Sequence, residues 1–232
     1  MDASAPNGHA KQIDTKTRIL DVAERFFGER GYGGTSLRAI TTAARVHVGS
    51  VNYHFGSKHG LLKAVMERRI VPVNRERLNR LDQLEASADG AAALDDIVDA
   101  FFIPLFLFYQ DTSRSGPYGL QLFARILTEP KPEIISGILG RYEEIARRFT
   151  TALIRALPHL AAEEVFWRYQ FMVGSIFYGS ARTGWIERIS DGRCSSRDIQ
   201  QMMQQMRIGF DAMFRAPSCL PIADTPAPTR SQ

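Results

Sequence analysis

Between Val48 and Phe55 the chain reads VGSVNYHF, placing Ser50, Asn52, Tyr53 and His54 on one short helix with a polar tip. Hydroxyl, amide, phenol and imidazole groups are compact donors and acceptors that suit base edges and phosphates better than a core. The segment before it has an apolar face of Leu37, Ile40 and Ala44, with Thr35 or Ser36 where an N-cap belongs. The segment after it starts from Ser57 as a cap, carries Lys58 in its first turn, and sets Leu61, Leu62, Val65, Met66 and Ile70 along one side. Two short helices around a turn at Arg45 and Val46, with a third helix following at once, predict a helix-turn-helix reader of duplex DNA. Ser50, Asn52 and Tyr53 then face base edges, with Val48 against a thymine methyl. The capped start of the first helix, with His54 and Lys58, faces phosphates, and Arg38 points toward the DNA.

Such a reader needs a scaffold. Residues 1–13 read as a disordered arm, being small, polar and broken by Pro6 and Gly8. A first helix is expected from Asp14 or Thr15, with Ile19, Val22, Ala23, Phe26 and Phe27 on one face and Gly31 as its stop. The head is thus expected over 14–62 and a connecting helix over 63–85, which Pro72 should bend or interrupt. A linker falls at Ala86 to Gly90. A body over 86–215 follows, with helices near 91–110, 116–128, 132–156, 161–186 and 196–214, and no stretch shows the period-2 alternation of a strand. Pro132 suits the first position of its helix, and Ser195 with Asp198 forms a relative of the capping box for the last. Residues 216–232 read as a flexible, Pro-rich tail. The fold class is all-α: a three-helix head on a larger helical body.

From helix 1 through GYGGTSLRAITTAARVHVGSVNYHFGSKHGLL, the chain resembles the N-terminal domain of the tetracycline-repressor (TetR) family of transcriptional regulators. The resemblance covers about residues 15 to 65, in the spacing, the turn glycines, the YHF-x-SK segment and the start of helix 4. It implies base contacts from Arg38, Val48, Ser50, Asn52 and Tyr53, and phosphate contacts from Thr35, Tyr53, His54 and Lys58. Two positions depart from the family pattern. Arg45 stands where the turn often has glycine, which leaves either an altered turn or an added phosphate contact from Arg45. Asn52 replaces a common tyrosine, so the operator sequence cannot be copied from a relative.

The family resemblance implies a dimer, with two heads spaced to a palindrome. Two surfaces can supply the contact. Gly174 and Gly179, with neighbouring small residues, allow close approach of the 161–186 helix, and Met202, Met203, Met206 and Phe210 form an adaptable face on the last helix. The alternative is that both faces pack within one chain.

Around FFIPLFLFYQ the body is apolar on nearly all sides, and Pro104 removes one backbone hydrogen bond there. Phe101, Phe102, Leu105, Phe108, Phe123, Phe171, Phe177 and Tyr178, with Gln121, Arg125 and Trp167 as polar or stacking groups, are the candidate lining of a pocket. That lining suits a hydrophobic or aromatic small-molecule effector, with Arg125 as partner for an anionic one. The alternatives are a filled core and a constitutive regulator, or an activator, without a ligand switch.

Composition bounds the rest. A net charge of +4 and a pI near 9.2 permit nucleic-acid binding without requiring it. Cys194 and Cys219 lack the CxxC or histidine spacing of a zinc site, so no metal or cofactor is expected. The most apolar run, Ala100 to Tyr109, is about half the roughly 20 residues of a membrane span, so no membrane partner is expected. GxSxG, HExxH, P-loop and dinucleotide-binding glycine patterns are all absent, and four of the five histidines (His9, His47, His54, His59) fall in the head or its arm. Catalysis is therefore not expected, and the reading is a cytoplasmic regulator, nucleoid-associated when bound.

Overall fold

The computed structural model describes residues 8–87, 91–110, 122, 132–181 and 183–220. Among them are nine helices and no strand. They are α1 (Gly8–Arg30), α2 (Leu37–Ala44), α3 (Val48–Phe55), α4 (Lys58–Ser87), α5 (Leu94–Gln110), α6 (Pro132–Ala156), α7 (Ala162–Ser180), α8 (Trp185–Ile189) and α9 (Ile199–Arg215). None of the helices among the described residues is long and apolar enough to cross a membrane.

Periodicity explains the two cores. In the head, α1 buries Ile19, Ala23, Phe26 and Phe27 against Ile40, Val51, Leu61, Leu62 and Val65. In the body, Phe101 packs edge-on to Phe149 and Tyr169, and Phe102 edge-on to Phe210. Helix α4 serves both cores, burying Leu61, Val65 and Ile70 on the head side and Leu81 on the body side. It runs unbroken for 30 residues through Pro72. The interruption allowed for at Pro72 does not occur; Pro72 is exposed and needs only to forgo one hydrogen bond. At the junction Arg77 is 5 % exposed, donates from Nε to the Phe101 carbonyl (2.8 Å), and lies 3.9 Å from the centre of the Phe101 ring. Burial pushes the neighbouring Tyr169 phenol up to about 12, against a smaller opposing pull from Arg77.

Several expected boundaries move. Helix α1 begins at Gly8, not Asp14, because Ala10, Lys11, Gln12 and Ile13 are good or neutral helix formers and nothing after Pro6 interrupts them. Helix α4 extends to Ser87, into the expected linker, whose last residues lie outside the described ones. The long helix expected over 161–186 divides into α7 and α8, since Gly184 takes a left-handed φ of 71°. Asp198 rather than Ser195 caps α9, its carboxylate accepting the Gln201 N–H at 2.9 Å. The helix expected over 116–128 lies outside the described residues except for Leu122, which is buried against the head core.

The start of the expected tail is not free. Arg168 on α7 donates to the carbonyls of Met213 (2.7 Å), Ala216 (2.8 Å) and Pro217 (3.0 Å). It thereby covers carbonyls left over at the end of α9. The buried carboxylate of Glu164 accepts from the Cys219 backbone N–H (2.8 Å) and from the Ser218 hydroxyl. These bonds fasten residues 216–220 across the start of α7. The Cys219 N–H, followed by the Ser218 hydroxyl, holds the Glu164 carboxyl at about 2, against 4.5 ordinarily. A depressed carboxylate stabilises the fold fully above its unfolded value and loses that contribution as pH falls toward the folded value. The strap is therefore expected to loosen between about pH 4.5 and 2. Hydrogen exchange of Ser218 to Leu220 from pH 5.5 to 2.5 measures this; unchanged protection factors across the window would refute it.

Candidate nucleic-acid interface

Ser36 starts the reading unit. Its hydroxyl oxygen accepts the Ala39 N–H at 3.1 Å and caps α2. At the other end of α2, the Arg45 N–H reaches the Thr42 carbonyl (3.1 Å) and the Val46 N–H reaches the Thr41 carbonyl (3.0 Å). This is the Schellman pattern, which needs a left-handed residue just past the helix. Arg45 supplies it with φ 54° and ψ 49°. The turn therefore keeps its glycine-type geometry with an arginine in it, a conformation that costs a side-chain-bearing residue about 1 kcal/mol. Arg45→Gly is expected to leave the fold intact and raise stability by up to about 1 kcal/mol. Urea unfolding tests it, and a destabilised variant would mean that the exposed guanidinium makes a stabilising contact.

Helix α3 then turns Val51 fully into the head core. That single anchor rolls Val48 (44 % exposed), Asn52 and Tyr53 (75 % exposed) outward, leaving Ser50 and His54 half-buried at the flanks. Tyr53 and His54 meet edge to face at 5.0 Å, and His54 lies 6.0 Å from Phe55. At the helix start the imidazole of His47 is the N-cap, its Nδ1 accepting the Gly49 N–H at 3.1 Å. Helix α4 follows after Gly56, capped by the Ser57 hydroxyl, which accepts the Gly60 N–H at 3.0 Å. A Cβ at Gly60 would run into the Phe55 carbonyl oxygen, so glycine there lets α4 start close under α3.

Arg38, Arg45, Val48, Asn52 and Tyr53 are thus all exposed on the two helices and the turn between them, as is Ser36. One expected contact turns away. Thr35 is buried, its hydroxyl donating to the carbonyls of Phe26 (3.0 Å) and Gly31 (2.8 Å). It ties α2 to the end of α1 rather than facing a phosphate. The Lys58 ammonium donates to the Tyr32 carbonyl and sits 4.2 Å from the centre of the Tyr32 ring, bracing the α1–α2 turn. Sequence reasoning missed the cap at His47; a polar side chain directly before the helix, followed two places on by glycine, was the available signal.

In the body the described members of the expected pocket set divide among the body core, the head core and the surface. Phe101 and Phe102 are buried in the core, and Leu105 packs against it. Phe177 packs instead against the head core. Trp167 (62 %), Phe171 (56 %) and Tyr178 (64 %) are exposed, because α7 turns Val165, Tyr169, Met172 and Ile176 inward. The Phe108 side chain, Gln121, Phe123 and Arg125 lie outside the described residues. A cleft of about 650 Å³ lies elsewhere, among Ala93, Leu94, Asp95, Ala156, Leu157, His159 and Arg215.

The expected dimer faces also divide. Met203 and Phe210 are buried in the body core, and Met202 and Met206 pack inside the chain against Gly179. Together they form the inner face of α9, not an outer one. Gly174 stays exposed, and with Trp167, Phe171, Ser175 and Tyr178 it forms one stripe along α7 at helical spacing. Ile208 is exposed on the outer side of α9.

Comparison with known proteins agrees with this architecture. The model of bacterial regulatory proteins of the tetR family matches residues 19–65, and that of the tetracyclin repressor-like C-terminal domain matches residues 99–210. The HTH-type transcriptional regulator UidR of Escherichia coli is 36% identical over 52 residues, 22% of this chain and 26% of that protein. The HTH-type transcriptional repressor KstR of Rhodococcus jostii is 25% identical over 134 residues, 52% of this chain and 63% of that protein. The chain thus spans about a quarter of the length of the first curated relatives it matches. Among solved structures, the fatty acid degradation regulator FadR of Bacillus halodurans superposes with a TM-score of 0.58 at 12% identity, over 93% of this chain and 98% of that one.

Proposed function

Because the chain belongs to the TetR family of DNA-binding transcriptional regulators, we propose that it is a dimeric repressor that binds a palindromic operator through paired heads and leaves it on binding a hydrophobic or aromatic small molecule. The observation that carries the DNA reading is the outward face of α3, where a single buried anchor, Val51, leaves Val48, Asn52 and Tyr53 facing outward. Asn52 offers the paired donor and acceptor that suit adenine, Val48 the methyl contact of thymine, and Tyr53 a donor for phosphate. Ser50, Arg38 and Arg45 flank them, and His54 supports Tyr53. Helix α4 belongs to both cores, so a ligand favouring one arrangement of the body over another would shift the separation of the heads. While bound, the protein would sit on the nucleoid.

A second reading, a regulator without a ligand switch, is favoured by the edge-on packing of Phe101 and Phe102 within the core. Gel shifts on DNA upstream of the protein's own gene, with and without fatty acids, acyl-CoAs and aromatic acids, separate the two. Release by one ligand supports the switch, and sequence-selective binding that no ligand alters supports the second reading. Tyr53→Ala is expected to weaken operator binding about tenfold or more without changing helix content. Operator binding at wild-type affinity would remove Tyr53 from the interface.

A further inference from the structure

We propose that His47 is an additional DNA-contacting residue: one ring nitrogen caps the recognition helix, and the other presents a fixed N–H donor to an acceptor on the operator. This rests on the DNA reading of the head and extends it by one residue and one chemical requirement, a hydrogen-bond acceptor in the DNA.

The backbone N–H of Gly49 donates to His47 Nδ1 at 3.1 Å. A ring nitrogen that accepts carries no proton, so the neutral imidazole is assigned the tautomer with hydrogen on Nε2. The cap thereby selects which nitrogen can donate outward. Backbone geometry supports the arrangement: His47 is extended (φ −72°, ψ 146°), as an N-cap must be. Gly49 leaves room for the ring, since a Cβ there would lie 3.2 Å from Nδ1 and 3.8 Å from Cε1.

Location supplies the partner. His47 is exposed and lies in sequence between exposed Arg45 and exposed Val48, at the N-terminal end of α3. N-terminal residues of a recognition helix are those that approach base edges in the major groove. A serine or threonine cap keeps its one polar group close to the helix end. An imidazole cap spans the same distance with one nitrogen and carries a second polar atom on the far side of the ring. Nε2–H fits a phosphate oxygen, or the N7 or O6 acceptors of guanine.

The test uses the full-length protein and a duplex selected by the wild-type protein from a random library, with a scrambled duplex as control. His47→Ser keeps a capping oxygen but lacks the outer donor. It is expected to retain the wild-type Tm and to lose about three- to tenfold in affinity for the selected duplex. His47→Thr, a second capping variant without an outer donor, is expected to lose affinity likewise and guards against a serine-specific folding defect. Equal losses on selected and scrambled DNA assign a phosphate contact. Loss on the selected duplex alone, mimicked by 7-deazaguanine at one position for wild type but not for His47→Ser, assigns a base contact. Wild-type affinity for both duplexes in both variants would overturn the proposal while leaving the head reading intact. A wild-type protein that selects no sequence, with Tyr53→Ala binding equally well, would instead overturn the head reading and His47 with it.

Discussion

Glu24→Ala is expected to destabilise the protein by about 3–5 kcal/mol. Glu24 is fully buried on α1, where its carboxylate meets Arg68 at 2.6 Å and the guanidinium of Arg69. Asp21, one turn earlier, takes the other nitrogen of Arg68 at 2.6 Å. Arg68 retains Asp21 when Glu24 is lost, and it is partly solvated. Arg69 is only 6 % exposed and keeps its charge inside the head. Desolvation of that charge, rather than loss of an attraction, sets the size of the effect. The Tm of a chain this size should fall by roughly 6–20 °C. Because α1 and α4 are joined here, the head should lose hydrogen-exchange protection before the body does. Glu24→Leu with Arg69→Leu removes the ion pair and its desolvation cost together, and should recover most of the loss. If Glu24→Ala costs under 1 kcal/mol in urea unfolding, or the double variant is no better, the buried-charge argument fails.

Much of the head was legible because its signals are local. Ser36 and Ser57 act as caps within three residues of the N–H groups they accept, and a one-residue left-handed turn fixes the angle between α2 and α3. The inward turn of Thr35 and the brace from Lys58 to Tyr32 were not legible. Their partners are carbonyls at Phe26, Gly31 and Tyr32, at the end of another helix, where leftover acceptors become visible only once the helices are packed. The body was read to the residue at α6, where Pro132 marks a start, and misread at α9. There Met202, Met203 and Met206 suit an inner or an outer face equally well, and composition alone cannot choose between them. Aromatic residues nearly all round α7 posed the same problem. The burial of Val165, Tyr169, Met172 and Ile176, with Tyr169 packed against Phe101, shows which side is the core. His47 escaped notice because histidine is an uncommon cap, although position and spacing were both in plain sight.

The proposed dimer leads to the second large effect, on assembly and through it on DNA binding. Trp167 and Phe171 stack at 6.0 Å on the exposed side of α7, and Gly174, Ser175 and Tyr178 continue the stripe. Exposed aromatic patches of this kind mark association surfaces, and aromatic anchors carry much of the binding energy where they are buried at an interface. In a two-fold dimer each substitution occurs twice. Phe171→Asp should therefore cost about 2 kcal/mol or more per copy, which raises the dimer dissociation constant roughly a thousandfold. Folding of the chain should be spared, since Phe171 is 56 % exposed and contributes nothing to the body core. Phe210→Ala should do the reverse, because Phe210 packs against Phe102 inside the chain. That variant should lose about 3–5 kcal/mol of stability, while its folded fraction still pairs. Sedimentation at micromolar concentration separates the cases: Phe171→Asp as a folded monomer, Phe210→Ala as a less stable dimer. Monomeric heads bind half-sites independently, so specific affinity for the palindrome should collapse for Phe171→Asp although every α3 side chain is intact. A Phe171→Asp protein that sediments as the wild type does would place the association surface elsewhere and leave this aromatic stripe to another partner.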